Sequence, residues 1–350
     1  MGERRWDKIE DREGVLVKLR RIRRGAFLLL PVLTLNFFLP GTARMNLPVR
    51  TRPIVISIVP KSLDNPMYIE VKEAAELAAR EQNVVVEWVG PFKVDVETQI
   101  RIIEGLIRRK VDGIAVCCSD EDRLVEVIDQ AVDAGIKVAT FGADAPQSKR
   151  LFYCGADNYQ AGLECGRAMV RLVQEKGWAD RPLNTVILTG DLNAHDLKER
   201  MRGFKEATAG RINLNYRAVL ACNEDTTTAA KEVEAYLKKH PETDVFFFTG
   251  GWAFLGPPEA MPLYDQWCQR GGLAVSMDTF YPVLQAAQRG FVQVLVGPNY
   301  RKMGELIVNN LVRAINELPL PSTYFETGLE LADRNNFGKL LQTKKPWDIK

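Results

Sequence analysis

The chain alternates short runs of apolar residues with longer segments in which apolar residues recur every three or four positions. The run at residues 54–59, Ile-Val-Ile-Ser-Ile-Val, is typical of a strand that is buried on both faces. The segment 95–110 has Val96, Ile100 and Ile103 at helical spacing, which predicts an amphipathic helix. Strands that alternate with helices of this length form right-handed βαβ units around a parallel sheet.

This alternation occurs in two successive series. The first predicts strands at residues 54–59, 84–88, 113–117 and 137–141, with helices at 67–81, 95–110 and 121–134. The second predicts strands at residues 151–154, 184–188, 216–220, 244–248, 274–277 and 292–296, with helices at 161–176, 194–207, 226–240, 261–270, 281–288 and 302–316. No low-complexity linker separates the two series. We therefore predict an α/β fold with two doubly wound parallel-sheet lobes, between which the chain passes through ordered segments.

The first 50 residues follow a different pattern. A basic cluster within residues 18–24 precedes an apolar run at 26–40, and small residues follow at 41–43. This order predicts a cleaved signal peptide and export to the periplasm. The run of 15 residues is shorter than the roughly 20 that a spanning helix needs, and it contains Pro31 and Pro40. An uncleaved N-terminal membrane anchor stays open as the alternative.

Composition and charge exclude several classes of function. The 350 residues are 46% hydrophobic and 26% charged, which is ordinary for a globular chain of about two domains. The formal charge of +2 offers no basic surface for nucleic acid, so we expect no nucleic-acid partner. With two histidines and no Cys-x-x-Cys pair, we expect no metal site. The six cysteines favour buried free thiols, although export leaves disulfides open. No nucleophile, phosphate-loop or cofactor motif is present, so we expect neither an enzyme nor a cofactor.

The loops after the predicted strands carry the candidate chemistry. In open α/β sheets, ligands bind beyond the carboxyl ends of the strands. Six such loops lie at residues 59–68, 117–121, 142–146, 190–200, 250–254 and 278–281, and their polar and aromatic side chains are Asn65, Tyr68, Asp144, Asp191, Asn193, His195, Arg200, Trp252, Asp278 and Phe280. Carboxylates, amides and an arginine suit vicinal hydroxyl groups, and flat rings suit the C–H face of a pyranose.

An ordered set of short motifs then carries a specific resemblance. The motifs are Asn65-Pro-Met-Tyr68, the segment Val-Ala-Thr-Phe-Gly-Ala-Asp-Ala-Pro at residues 138–146, Gly155-Ala-Asp-Asn158, Glu199-Arg-Met-Arg-Gly-Phe204, Met277-Asp278 and Val296-Gly-Pro-Asn299. Over residues 53–330 the sequence resembles the periplasmic sugar-binding proteins of the ribose type, the substrate-binding components of ABC sugar importers. The resemblance implies a type I periplasmic binding protein, with two lobes joined by a three-crossover hinge. Residues 53–155 and 299–326 would form the first lobe, and residues 156–298 and 327–340 the second, after an export segment at residues 1–50.

The resemblance also implies which residues bind the ligand. Asn65 and Tyr68 would line the first lobe's face of the cleft. Asp144 matches the second acidic position of the family's Asp-Ser-Asp turn, Arg200 matches an arginine that bonds sugar hydroxyls, and Asp278 matches an acid after a late strand. Structural alternatives stay open: Asn65 also suits a helix cap, and the acids suit turns.

Departures from the family pattern affect the same pocket. Gly142 stands at the first acidic position of that turn, Pro298 replaces a common glutamine, and glycines at 250 and 251 replace an amide or acid. We expect the lost hydrogen-bonding groups to be replaced by Trp252, Asn299 and His195; the alternative is a ligand that is not a simple ribose-like sugar.

We therefore predict an extracytoplasmic, monomeric binding protein. It would capture a sugar or sugar-like polyol by closure of the hinge and deliver it to the permease of an ABC importer. The alternative is a sensor that presents the closed form to a membrane receptor or sensor kinase. A sugar-responsive repressor is disfavoured because a basic segment and an apolar run, rather than a helix-turn-helix, precede the lobes.

Overall fold

A computed structural model describes residues 52–344 and Pro346. The predicted signal peptide and its alternative, an N-terminal anchor, lie outside the described residues. None of the helices within 52–344 is both long and apolar enough to cross a membrane. The six cysteines all lie in the described part and are free, as predicted from their apolar surroundings; five are buried, and Cys268 is partly exposed.

The first sheet is entirely parallel and has six strands. Its strands are β1 Val55–Val59, β2 Val85–Trp88, β3 Gly113–Val116, β4 Lys137–Phe141, β5 Phe152–Gly155 and β11 Tyr324–Glu326, in the order β11-β5-β4-β3-β1-β2. Its helices are α1 Met67–Gln82, α2 Val96–Arg109, α3 Val125–Asp133 and α9 Tyr300–Ile315. Alternate strand residues face opposite helix layers: Ile114 packs with α2 and α3, whereas Ala115 packs with α1 and α9.

The second sheet also has six strands, of which five are parallel. Its strands are β6 Leu183–Thr189, β7 Leu214–Ala221, β8 Val245–Phe248, β9 Leu273–Met277, β10 Val294–Pro298 and β12 Leu329–Asp333, in the order β12-β10-β9-β8-β6-β7. Its helices are α4 Asn158–Glu175, α5 His195–Thr208, α6 Thr226–Lys239, α7 Pro262–Gln269, α8 Tyr281–Gln288 and α10 Phe337–Thr343, with short 3-10 helices at Trp252–Phe254 and Pro258–Ala260. The predicted two-lobe α/β fold is thus confirmed, with one difference: β12 pairs antiparallel to β10 at the sheet edge.

The chain passes between the two sheets three times: from β5 to α4, from β10 to α9 and from β11 to β12. Side-chain caps fix the start of both helices that follow such a passage. Asp157 accepts a hydrogen bond from the backbone N–H of Gln160 at 3.0 Å, and Asn299 accepts one from that of Lys302 at 2.9 Å. As a result α4 begins at Asn158, three residues before the predicted start.

Glycines allow two pairs of helices to cross at close range. A Cβ atom at Gly162 of α4 would lie 2.8 Å from the carbonyl carbon and 3.0 Å from the Cα of Arg200 in α5. At Gly304 of α9, a Cβ atom would lie 2.9 Å from the backbone nitrogen of Ala75 in α1. Only glycine fits such approaches, so Gly162 sets the depth at which α5 and its Arg200 are held, and Gly304 sets the depth at which α9 packs on α1.

Candidate functional site

Loops at the carboxyl ends of strands in both sheets line two adjoining cavities. The larger has a volume of about 440 Å³ and the smaller about 50 Å³. They share the lining residues Lys61, Ala143, Ala156, Asn158 and Asp196. The large cavity falls in the range of small-molecule sites, whereas the small one has room for a few water molecules.

The structure brings seven of the eight predicted ligand-binding residues to these cavities. Five line the small cavity, and these are Asn65, Tyr68, Arg200, Trp252 and Asp278. Two line the large cavity, and these are Asp144 and His195. Asn299 lines neither cavity, because its side chain is exposed and caps α9.

Arg200 is held by two hydrogen bonds within the second lobe. Its Nε donates to Oδ1 of Asn158 at 2.8 Å, and its Nη1 donates to the carbonyl oxygen of Thr249 at 2.7 Å. The Nη2 group has no hydrogen-bond partner among residues 52–344, and Arg200 is part of the wall of the small cavity. Burial alone would lower the pKa of Arg200, but attraction by Asp196 and Asp278 raises it above its ordinary value. The guanidinium is thus a fixed, charged donor with one unused nitrogen.

Asp278 connects the second lobe to a helix of the first. Its Oδ2 accepts a hydrogen bond from the backbone N–H of Gly251 at 2.8 Å, and its Oδ1 accepts one from the hydroxyl of Tyr300 at 2.6 Å. Burial and the neighbouring carboxylate raise the pKa of Tyr300 well above its ordinary value, so the hydroxyl keeps its proton. The backbone of Asp278 has a φ of 79°, a left-handed conformation that aspartate tolerates better than most residues. Each carboxylate oxygen retains a second lone pair for a ligand.

Aromatic rings from both lobes form the apolar wall of the small cavity. Tyr68 is buried, and its hydroxyl donates to the Sγ of Cys117 at 3.3 Å. Trp252 lies against Gly190 and Gly250, where a Cβ atom would come within 2.8 and 2.5 Å of the indole. The glycine at 250 therefore does more than remove a polar group, because it makes room for the tryptophan ring.

The turn around Asp144 is committed to internal contacts. Both of its carboxylate oxygens accept hydrogen bonds from Arg150 at 2.5 Å, and Oδ1 also accepts from Thr140 and from the backbone N–H of Ala145. Gly142, which lines the small cavity, has a φ of 67° that favours glycine. This turn thus presents a neutralised carboxylate to the large cavity.

The sequence analysis did not select several polar residues that line the cavities. Lys61 and Glu224 form an ion pair with an Nζ–Oε1 distance of 2.9 Å, and both line the small cavity. Asp196, in the first turn of α5, lines both cavities and accepts no hydrogen bond within residues 52–344. The loop at 221–225 follows a predicted strand, so the strand-end rule would have found Glu224 if it had been applied to every strand.

Acidic residues outnumber lysines and arginines in the lining of both cavities. The large cavity contains eight carboxylates, from Asp120, Glu121, Asp122, Asp144, Asp157, Asp191, Asp196 and Glu199, and the only lysine or arginine in its lining is Lys61. Within the described ranges, no group of three or more potential ligands is arranged to hold a metal ion. The excess of carboxylates gives the cleft a negative electrostatic potential, which favours neutral or cationic ligands over anions.

Comparison with known proteins shows which family this chain resembles. The model of the periplasmic binding protein domain family matches residues 56–318. The D-ribose/D-allose-binding protein of Pseudomonas aeruginosa is 26% identical over 238 residues, which cover 64% of this chain and 70% of that protein. The transcriptional repressor PurR of Aliivibrio fischeri is 24% identical over 202 residues, and the match spans only 56% of its length.

A solved structure shows the same architecture. An ABC transporter solute-binding protein from Burkholderia graminis, in complex with D-arabinose, superposes with a TM-score of 0.74 at 26% identity, covering 82% of this chain and 97% of that one. The family match extends over most of the described residues and spans five of the six strands of each sheet, β11 and β12 lying beyond it. The chain therefore belongs to the periplasmic binding protein family and has its type I, two-lobed α/β fold, as its sequence motifs predicted.

Proposed function

We propose that this protein captures a neutral sugar or sugar-like polyol between its two lobes and delivers it to an ABC importer in the membrane. One observation carries the proposal: Asn65 and Tyr68 of the first lobe line the same small cavity as Arg200, Trp252 and Asp278 of the second. A ligand in contact with both sets binds the closed form better than the open form, so it stabilises closure.

The polar groups with unused capacity match hydroxyl chemistry. Arg200 Nη2 is a free donor, and the carboxylates of Asp196 and Asp278 have free lone pairs. A hydrogen bond to a charged group contributes about 1.5–3 kcal/mol, and a micromolar dissociation constant requires about 8 kcal/mol. Three or four such contacts, with ring stacking on Trp252 or Tyr68, therefore suffice for capture at micromolar concentration. The bound D-arabinose of the similar structure supports a monosaccharide of this kind.

The three passages between the sheets are the proposed hinge. In this proposal residues 53–155 and 299–326 move as one lobe, and residues 156–298 and 327–340 move as the other. Gly328, at the third passage, has a φ of 75°, which gives that segment a glycine's backbone freedom. We propose that the protein acts as a monomer in the periplasm and that the permease recognises the surface of the closed form.

A thermal-shift screen of the purified protein against pentoses, hexoses and polyols tests ligand capture. A ligand at one hundred times its dissociation constant stabilises the folded state by about 2.7 kcal/mol, which corresponds to an increase in Tm of about 5 °C or more. The Arg200→Ala variant is the control and should lose the shift. If no member of the panel raises the Tm at 10 mM, sugar capture is refuted.

Delivery requires a second assay, because capture alone fits a sensor equally well. The ligand-loaded protein is added to a reconstituted ABC sugar importer from the same organism, and ATP hydrolysis is measured. Stimulation by the loaded protein supports delivery. If ATP hydrolysis is unchanged while a neighbouring sensor kinase responds, the sensing function replaces the importing one.

A further inference from the structure

An ion pair spans the cleft between the lobes. Lys61 lies just after β1 of the first lobe, and Glu224 lies just after β7 of the second. Their Nζ–Oε1 distance is 2.9 Å, and the two side chains are only 8% and 11% exposed. Because each partner is anchored to a different lobe, the pair exists only while the cleft is closed. Both side chains are also part of the small cavity's wall.

The turn that carries Glu224 is built to reach across the cleft. Asn223 and Glu224 have φ values of 52° and 54°, a left-handed conformation that asparagine adopts more readily than glutamate does. The next residue, Asp225, is fixed as the cap of α6 by the backbone N–H of Thr228 at 2.8 Å. Asp225 also pairs with Lys93 of the first lobe at 3.0 Å, in an exposed position. Two successive carboxylates of one turn therefore meet two lysines of the opposite lobe.

The surroundings of Lys61 favour its charged form. Burial alone would lower the pKa of Lys61, but attraction by Glu224 and Asp196 raises it above the ordinary value of 10.5. The hydroxyl of Tyr68 accepts a hydrogen bond from the backbone N–H of Lys61 at 3.3 Å, which fixes the loop. Removal of Glu224's charge would leave the Lys61 ammonium buried without its ion-pair partner. An unpaired buried charge is strongly unfavourable, so the closed form of the cleft would be destabilised.

We propose that the turn at residues 222–225 is an electrostatic latch, in which the pairing of Glu224 with Lys61 favours lobe closure and raises the affinity for the ligand. The apparent dissociation constant of a ligand that binds the closed form is its intrinsic value divided by the closed fraction. A latch that increases this fraction strengthens binding without an additional ligand contact. The effect on affinity rests on the proposed ligand site, whereas the effect on closure does not.

Small-angle X-ray scattering of the protein without added ligand tests the latch. In Glu224→Gln the closed-to-open ratio should fall at least tenfold, which appears as a larger radius of gyration than that of the wild type. Lys93→Met removes the exposed pair on the same two loops and is the matched control, with an expected change below twofold because exposed pairs contribute little. Scattering of Glu224→Gln that is indistinguishable from that of the wild type would overturn the proposal.

Two further measurements distinguish a loss of the latch from misfolding and from an indirect effect of the substitution. Circular dichroism and the Tm establish that each variant is folded. The double variant Lys61→Met with Glu224→Gln leaves neither charge unpaired, so it should be more closed than Glu224→Gln alone; equal or lower closure counts against a direct interaction. The scattering is measured without sugar, so it tests the latch independently of the proposed function. If Glu224→Gln opens the cleft but the protein binds no sugar, only the proposed function is refuted. If the protein binds sugar but the scattering of Glu224→Gln is unchanged, only the latch is refuted.

Discussion

Replacement of Gly162 with alanine tests how closely the crossing of α4 and α5 positions Arg200. The new Cβ would lie 2.8 Å from the carbonyl carbon of Arg200 and 3.0 Å from its Cα, closer than real Cβ atoms approach. The obstacle is backbone, which cannot rotate away as a side chain can. The substitution therefore moves α5 outward, and with it the guanidinium that bonds to Asn158 and Thr249.

The expected cost follows from two opposing effects. Overpacking of a close crossing destabilises by about 1–3 kcal/mol, while alanine in place of glycine inside a helix stabilises by about 0.5–1 kcal/mol. The net loss is about 1–2 kcal/mol, which lowers the Tm by about 2–6 °C. Differential scanning calorimetry measures this loss, and titration calorimetry with the sugar from the screen should show weaker binding because Arg200 has moved.

A matched control separates helix propensity from packing. Gly105 lies inside α2, and a Cβ atom there would meet only the guanidinium end of Arg108, at 3.8 Å. Gly105→Ala should therefore raise the stability by about 0.5–1 kcal/mol. Opposite signs for the two substitutions support the close crossing. A Gly162→Ala protein that melts at or above the wild-type temperature would contradict it.

Three further outcomes are expected. Arg200→Ala should weaken binding of the screened sugar at least tenfold in titration calorimetry without unfolding the protein; unchanged affinity would remove Arg200 from the site. Asp225 has its pKa lowered to about 2, chiefly by the backbone N–H of Thr228. Its stabilising effect is thus fully present above about pH 5, falls as the pH drops through 4 towards 2, and is lost below the folded-state pKa. In urea unfolding, Asp225→Asn should therefore be less stable than the wild type by about 1 kcal/mol at pH 6 and by less than about half of that at pH 2.5; a constant difference would contradict this. Burial raises the pKa of both Cys154 and Cys268 to about 12, and the pKa values of the other four thiols are raised as well. Exposure therefore decides the order of labelling: a thiol reagent at pH 8 should label mainly the partly exposed Cys268 before unfolding and six thiols after it; rapid labelling of several thiols in the native protein would refute their burial.

The alternation of strands and helices could be predicted because each element of the two series has its own local pattern. The last two strands, β11 and β12, could not be predicted in this way. Strand β11 has three residues, of which Tyr324 is 40% exposed, so neither its length nor its burial marks it in the sequence. Strand β12 alternates apolar and polar residues, but its antiparallel pairing with β10 depends on where the chain returns after β11. Such edge strands are set by tertiary contacts rather than by local preference.

In the site, too, local sequence pattern predicts some features, whereas others depend on tertiary contacts. The strand-end rule selected residues that reach the cleft from the loop on which they lie, and Arg200 and Asp278 both line the small cavity. The same rule covers the loops of Lys61 and Glu224, but their pairing could not be predicted because the two residues are 163 positions apart in the sequence. Asn299 was selected by its motif, but a helix starts at the next residue and uses its side chain as a cap.

The acids of the site differ in what they can offer a ligand. Asp144 is neutralised by Arg150, and Asp278 already accepts from Gly251 and Tyr300, so both act first as supports for the walls of the cleft. Asp196 accepts no hydrogen bond within residues 52–344, although it faces both cavities. A hydroxyl that bridges Asp196 and the free Nη2 of Arg200 would therefore gain two charge-assisted bonds without breaking an internal one. A ligand loses nothing by not bonding to polar groups that already have internal partners. If the proposed ligand is a sugar, the selectivity among sugars therefore rests on the few polar groups that have no internal partner.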